Sequence, residues 1–366
     1  MNLFLDNIIF SLQKSGGISV VWYELLQRII NDPELNARFL EVPNKNIFRR
    51  NLTISEDKLI SNPYSHFPIS IQRFLNPNHI NEKGIFHSSY YRIINNSNII
   101  NITTLHDFTY ENFARGFVKL VHHQQKGTAI KNSKRIICVS HNTKEDLLKF
   151  YPKINQNHVK VIYNGADNNY QPLERKKDSY LKNLVDFSSL EYVLYVGDRN
   201  DTYKNFKTAV RACKIVNLPL VLVGGGCLSK NEYEYLNEKL GLSRYKVFQK
   251  ISNDQLNLLY NHALCLLYPS ISEGFGIPII EAQKAGYPVI STNYSSIPEV
   301  AGKGAILLNE ITDHQIADML NLIKRDSTVV VKLREEGFKN SARFSWDKCY
   351  KETKLVYQEV YKEYLS

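Results

Sequence analysis

A chain of 366 residues is long for one hydrophobic core and suits two domains of ordinary size. Its 43% hydrophobic and 22% charged residues are those of a globular protein, which excludes disordered, collagen-like, coiled-coil and disulfide-scaffold classes, and no apolar run reaches the roughly 18 residues of a membrane-spanning helix. The net charge is +10, and residues 1–172 hold 20 Lys and Arg against 13 Asp and Glu, so +7 of it lies in the first half and calls for an anionic partner: nucleic acid, anionic lipid or a phosphorylated substrate.

The opening MNLFLDNIIFSL has no basic residue before its apolar run and carries Asp6 within it. It therefore reads as a first strand, Leu3–Phe10, rather than a secretory leader. A helix follows from Ile18, with Val21, Leu25 and Ile29 at helical spacing. Further strands are expected at Arg38–Val42, Ile85–His87, Ile99–Leu105, Arg135–Ser140 and Val159–Tyr163. Residues 43–82, rich in Asn, Pro and Ser but holding Phe48, Phe67 and Phe74, form a long irregular stretch of the kind that is functional or mobile more often than packed.

Asn112–Arg135 mixes Phe113, Phe117 and Leu120 with six basic residues. It is either a surface helix whose apolar face is core or a helix resting on anionic lipid. His122 and His123 within it have no recognisable partner and read as structural. The polar stretch Gly165–Leu190 reads as a linker. Strands resume at Tyr192–Val196, Leu220–Val223, Lys246–Phe248, Leu264–Tyr268, Val289–Ser291 and Ala305–Leu308, and Trp346–Leu365 closes the chain as a helix. Alternating strands and helices imply an α/β protein of two doubly wound, Rossmann-like domains facing across a cleft, 1–172 and 173–345. The five cysteines are odd in number and without C-x-x-C spacing, which suits reduced thiols in a cytosolic protein.

The chemistry concentrates in Ser272-Glu-Gly-Phe-Gly-Ile-Pro-Ile-Ile-Glu281-Ala, just after an apolar strand. Gly274 and Gly276 permit a tight turn, and Pro278 suits the first turn of a helix. The amides of Phe275, Gly276 and Ile277 then form an anion site. Glu273 and Glu281 flank this turn and can accept hydrogen bonds from sugar hydroxyls; singly, each also reads as an ordinary acidic residue at a helix start. Arg199 and Lys204 follow another strand. Two cations and helix-end amides can hold a diphosphate in place of a metal, although Lys204 alone is also what a solvated helix start would carry. No D-x-D and no zinc spacing occurs, and Asp198 and Asp201 read as a turn, so no metal is expected. Gly224–Gly226 lacks the G-x-G-x-x-G spacing of a dinucleotide site.

The E-x7-E segment resembles the signature of retaining glycosyltransferases of GT-B fold, the family 4 (group 1) type. Other segments are similar to that family in order: Ser15-Gly-Gly17, Thr104-Leu-His106-Asp107, Cys138-Val-Ser140, Val161-Ile-Tyr-Asn-Gly165, Tyr195-Val-Gly197-Asp-Arg199 with Lys204-Asn205, Val221-Leu-Val-Gly-Gly-Gly226 and Phe344-Ser-Trp346. The resemblance implies that residues 346–366 pack back on the first, acceptor-side domain and that the second binds the nucleotide sugar. It implies donor contacts from Gly16, Gly17, Gly197, Gly225, Gly274, Phe275, Gly276 and Ile277. Glu281 would bind the ribose, Glu273 and His106 the transferring sugar, and Arg199 and Lys204 the diphosphate; without the resemblance, His106 reads as a structural strand-end histidine.

The implied reaction moves a hexose or N-acetylhexosamine, with retention, from a UDP- or GDP-sugar to a glycan or lipid-linked acceptor in bacterial O-antigen or capsule assembly. The expected setting is cytoplasmic, or peripheral on the cytoplasmic face of the inner membrane. A sugar-nucleotide epimerase of the same architecture is the alternative. An NAD oxidoreductase lacks its fingerprint, and a nucleic-acid binder leaves Glu273 and Glu281 unexplained.

Overall fold

The computed structural model describes residues 1–113, 116–173, 185 and 191–365. They form two compact units, Met1–Asn164 with Trp346–Ser366, and Gly165–Ser345.

The first unit holds seven strands: β1 (Asn2–Asp6), β2 (Asn36–Leu40), β3 (Leu59–Ile60), β4 (Gly84–Ser88), β5 (Ile99–Leu105), β6 (Ser133–Cys138) and β7 (Val159–Val161). Their order is β3-β2-β1-β4-β5-β6-β7, every pair parallel. The second unit holds β8 (Val193–Val196), β9 (Leu220–Val223), β10 (Tyr245–Phe248), β11 (Cys265–Tyr268), β12 (Val289–Thr292) and β13 (Ile306–Leu308), in the order β10-β9-β8-β11-β12-β13, again all parallel. This is the GT-B building plan of paired Rossmann-like sheets. Leu3, Phe4 and Leu5 are all buried, as are Leu220, Val221 and Leu222, because helices cover both faces of each sheet. The strand order reverses between β1 and β4 and between β8 and β11. At such reversals the following loops diverge and leave a crevice at the carboxyl ends of the strands.

Three differences from the sequence reading have local causes. The first strand ends at Asp6 rather than Phe10, and Ile9–Leu12 is a helical turn. The Asp6 carboxylate is buried at the strand end, where it accepts from Arg92 Nε (2.7 Å), Ser88 Oγ (2.8 Å) and the Ile8 amide (3.3 Å), and so turns the chain. The stretch 43–82 contains the two-residue edge strand β3 and is tied down by Arg92, which also donates to Leu75 O at 3.3 Å. The boundary expected after residue 172 falls after Asn164, because the next residues pack on the second unit. The Gln171 and Leu173 amides donate to Asn257 and Asn261 of the helix Asn253–His262, and Tyr170 is buried in that unit's core. Most of the expected linker, residues 174–184 and 186–190, lies outside the described residues.

The terminal helix Trp346–Tyr364 belongs to the first unit. Its Asp347 pairs with Arg28 of the helix Gly17–Ile30 at 2.7 Å, and its buried Tyr357 hydroxyl lies 2.7 Å from His87 Nδ1. Cys138, Cys213, Cys265 and Cys349 are buried free thiols and Cys227 is exposed.

Candidate active site

The second unit assembles most of the candidate residues at the reversal between β8 and β11. After β8 the chain passes Gly197 and makes a short 3-10 turn, Thr202–Lys204. Asn205 then takes a left-handed conformation (φ 51°) to start the helix Phe206–Ile215. Two bonds dock this turn onto the segment after β11: Asn205 Nδ2 donates to Pro269 O (2.9 Å), and the Ile271 amide donates to Tyr203 O (2.9 Å). The docking brings Lys204 Nζ to 3.0 Å from Glu273 Oε1, with both side chains largely buried. Burial alone would lower the Lys204 pKa; the adjacent Glu273 carboxylate outweighs it and raises it, so the ammonium stays charged. Tyr268, at the end of β11, hydrogen-bonds the same carboxylate.

Glu273 sits in a turn fixed by its neighbours. Its amide donates to Ser295 Oγ (2.9 Å), while Ser296 Oγ donates to Glu273 O (2.8 Å) and Phe275 O (3.1 Å). Gly276 has φ +104°, a conformation that glycine supplies without strain, and it opens the helix Ile277–Ala285 with Pro278 in the first turn. The first amides of that helix have no acceptor within it. Phe275 contributes backbone only, since its ring is buried against Phe344 with centroids 5.6 Å apart. Gly274 lies in the same turn, and the Gly197 amide donates to Val223 O and ties β8 to β9.

Glu281 lies one turn into this helix. Its carboxylate accepts from Tyr260 Oη at 2.9 Å and from Tyr170. Burial raises its pKa to about 7, against the opposing pull of the two phenols. The folded state therefore holds a proton that the unfolded chain releases near the ordinary glutamate value, and stability from this group declines as pH rises from about 4.5 to about 7. Glu281→Gln is expected to flatten that part of a pH-dependent thermal melt; a slope unchanged from wild type over this window would refute the assignment.

Arg199, expected at the diphosphate, is held by protein acceptors. Its side chain is fully buried, and Nε donates to Glu232 Oε1 at 2.9 Å. Its terminal nitrogens donate to the carbonyls of Gly224, Gly225 (3.1 Å), Gly226 (3.0 Å) and Cys227 (3.4 Å). Gly225 has φ +70°, and a Cβ there would lie 2.6 Å from Arg199 Nη1. Arg199 is thus the internal brace of the glycine turn after β9, with its donors committed to protein acceptors. Asp198 and Asp201 likewise serve their own turn: Asp198 accepts from the Asn200 amide (2.9 Å) and Asp201 from Tyr203 Oη (2.8 Å). Among the described residues no three His, Cys, Asp or Glu side chains are grouped to hold a metal ion.

Gly16, Gly17 and His106 belong to the first unit. Gly16 is extended, and its carbonyl accepts from the Val20 amide (3.0 Å) and Ser19 Oγ (2.8 Å); the Cα of Gly17, the first helical residue, faces open space. His106 follows β5 and, with His87, Trp22 and Asn164, lines a small pocket. Burial pushes its pKa down to about 4, so the imidazole is neutral at physiological pH. His87 is neutral for the same reason, at about 3, and bridges Tyr357 and Thr104 Oγ1 (2.9 Å).

Sequence reasoning missed His87, Tyr170, Tyr260 and Tyr268. All four are buried; His87, Tyr260 and Tyr268 lie beside apolar runs, where an aromatic or histidine reads as core, and Tyr170 lies in the polar stretch read as a linker.

The model of the glycosyl transferases group 1 matches residues 176–342, and that of glycosyltransferase family 4 matches residues 74–170. An uncharacterised glycosyltransferase of Methanocaldococcus jannaschii is 27% identical over 63% of this chain and 61% of its own. O-antigen chain mannosyltransferase B of Escherichia coli is 30% identical over 46% of this chain and 45% of its own. O-antigen chain mannosyltransferase RfbU of Salmonella typhimurium is 27% identical over 56% of each. The chain thus spans about half the length of the curated relatives it matches. Among solved structures, Anabaena HepE in complex with UDP-glucose superposes with a TM-score of 0.74 at 15% identity, covering 98% of this chain and 100% of that one. WaaG, a glycosyltransferase involved in lipopolysaccharide biosynthesis, superposes with a TM-score of 0.71 at 14% identity over 98% and 99%.

Proposed function

This chain belongs to the group 1, family 4 glycosyltransferases of GT-B fold, and from that premise we propose that it transfers a hexose, mannose foremost, or an N-acetylhexosamine from a UDP- or GDP-sugar to a glycan or lipid-linked acceptor. The O-antigen mannosyltransferases among its relatives support the sugar and the setting, assembly of a bacterial surface polysaccharide. The observation that carries the reading is the buried Lys204–Glu273 pair at the mouth of the β8/β11 reversal, beside the amino end of the helix Ile277–Ala285.

In this reading the Lys204 ammonium and the helix-end amides hold the diphosphate and the charge that grows on it as the glycosidic bond breaks. Glu273, held by Lys204, accepts from hydroxyls of the transferring sugar. Glu281, oriented by Tyr170 and Tyr260, accepts from the ribose. His106, neutral, contacts the sugar by a hydrogen bond, and the first unit receives the acceptor. Transfer proceeds with retention by a front-face path: the acceptor oxygen bonds to the anomeric carbon on the side the nucleotide leaves, and the departing phosphate oxygen takes the acceptor's proton.

A thermal-shift screen tests the donor, because a ligand that binds only the folded state raises the melting temperature; at about a hundred times Kd the gain is about 2.7 kcal/mol. UDP or GDP is expected to raise it and ADP to leave it unchanged. Transfer is then followed by NMR with GDP-mannose and UDP-hexoses, with and without acceptor. Turnover is expected to survive EDTA, since Lys204 takes the place of a cation; a strict requirement for Mg²⁺ or Mn²⁺ would refute that part of the reading.

A further inference from the structure

The segment that carries Glu273 is held from two sides by residues in an unfavourable backbone conformation. Among the described residues, four that are not glycine have positive φ: Tyr91, Asn205, Asn217 and Ser295. Two of these bind the segment between β11 and the helix Ile277–Ala285. Asn205 (φ 51°) donates from Nδ2 to Pro269 O (2.9 Å), and Ser295 (φ 48°) accepts at Oγ from the Glu273 amide (2.9 Å). A β-carbon crowds the backbone at such angles, and Asn tolerates them better than Ser. Glycine would make the turn at 295 without strain. A strained residue persists where its surroundings over-determine it, and such residues cluster at functional sites.

Around Ser295 the surroundings are a row of hydroxyls. β12 pairs with β11, and the side chains of residues 291–296 follow the outgoing backbone of β11 in order. Ser291 Oγ donates to Tyr268 O (2.6 Å) and Thr292 Oγ1 to Ser270 O; Ser295 then accepts from the Glu273 amide, and Ser296 Oγ donates to Glu273 O and Phe275 O. The turn at 293–297 has anchors of its own that do not involve the Ser295 hydroxyl. The Asn293 amide donates to Leu308 O (2.9 Å), its Nδ2 to Asn309 Oδ1 (2.8 Å), and the Ile297 amide to Tyr294 O (3.2 Å). The hydroxyl therefore fixes the Glu273 peptide rather than its own loop. Glu273 is gripped at its amide by Ser295, at its carbonyl by Ser296 and at its carboxylate by Lys204.

We infer that Ser295 is a positioning residue for Glu273: its left-handed backbone aims the hydroxyl at the Glu273 amide, and that bond sets the angle at which the carboxylate leaves the turn. With the peptide plane fixed at one end and Lys204 at the other, the carboxylate has a single orientation toward the hydroxyls of the transferring sugar. Loosening the peptide leaves the pair with Lys204 but blurs that orientation, and a small misplacement of a positioning group costs turnover more than binding. A nucleotide without its sugar does not meet Glu273 in this reading, so its binding does not depend on Ser295. The role in transfer rests on the transferase reading; the clamp on the turn does not.

The test compares three variants of the full chain. Ser295→Gly removes the hydroxyl and the strain together, Ser295→Ala removes the hydroxyl and keeps the strain, and Ser295→Asn tolerates the left-handed region and restores an acceptor oxygen. Hydrogen exchange without ligand, read by mass spectrometry on peptides spanning residues 270–276, is expected to be about tenfold faster in the Gly and Ala variants and nearer wild type in Ser295→Asn. The melting temperature of Ser295→Gly is expected within about 2 °C of wild type, with Ser295→Ala lower; the Gly and Asn variants serve if Ser295→Ala does not fold. With GDP-mannose or a UDP-hexose and acceptor, kcat of Ser295→Gly is expected to fall about tenfold while the donor KM changes by less than about threefold and the thermal shift by free nucleotide is kept; Ser295→Asn recovers part of the turnover. A merely structural Ser295 would instead lower the melting temperature of Ser295→Gly and spare kcat. Wild-type exchange in the Gly and Ala variants, or wild-type turnover in Ser295→Gly, would overturn the inference. Failure of UDP and GDP to shift the wild-type melting temperature would count against the transferase reading, and the exchange rates would still decide the clamp.

Discussion

Lys204→Ala is expected to lower turnover at least about a hundredfold while changing the donor KM by less, the range seen when one preorganised stabiliser of transition-state charge is removed. The reason lies in the pairing. Lys204 and Glu273 hold each other 3.0 Å apart, and Tyr268 shares the carboxylate, so the ammonium is positioned and charged before any ligand arrives. Without it, the developing negative charge on the leaving diphosphate loses its only proposed side-chain cation, and Glu273 loses its main partner. Lys204→Arg should recover part of the turnover, because the charge returns but the planar guanidinium cannot reproduce the point contact with Glu273. Steady-state kinetics checks both variants. Wild-type turnover in Lys204→Ala would remove the residue from the chemistry, and a pure rise in KM would restrict it to ground-state binding.

The parts of the molecule legible in the sequence are those whose signal is local. Ile99–Leu105 and Leu220–Val223 occur as strands with the expected bounds, the first because it is rich in β-branched Ile and Thr, the second because it is an apolar run closed by glycines. The turn at Gly274–Ile277 is likewise written in consecutive residues. The parts that were not legible depend on partners distant in the chain. Asp6 ends the first strand because Arg92, 86 residues away, meets it in the core; the apolar run to Phe10 gives no hint of that. The edge strand Leu59–Ile60 has two residues, too few for any periodicity, and exists because Phe39 and Leu40 offer it an edge. Tyr170 belongs with Tyr260 and Glu281 only once the segment after Asn164 packs on the second unit. Arg199 shows the same problem in the site itself. Its position after a strand suited a phosphate ligand, but its acceptors are carbonyls 25 to 28 residues further on, and no side-chain spacing encodes them.

That placement leads to the second large effect. Arg199→Met is expected to cost about 3–5 kcal/mol of stability, because it leaves Glu232 and a row of turn carbonyls without the buried donor that satisfies them. Glu232 retains part of its environment, since it also closes the capping box with Ser229, so the helix Lys230–Lys239 keeps its start. The damage concentrates in the glycine turn, whose positive φ angles at Gly224, Gly225 and Gly226 depend on the guanidinium fork holding the carbonyls together. If the turn shapes the nucleotide pocket, the kinetic signature is a raised donor KM with kcat nearly unchanged, and Arg199→Lys shows the same pattern more weakly, because an ammonium can satisfy only some of the acceptors. Direct contact with the leaving diphosphate would give the opposite split, with kcat falling and KM held. Denaturant melts with the two kinetic constants, measured on both variants, therefore decide whether Arg199 braces the site or acts in it.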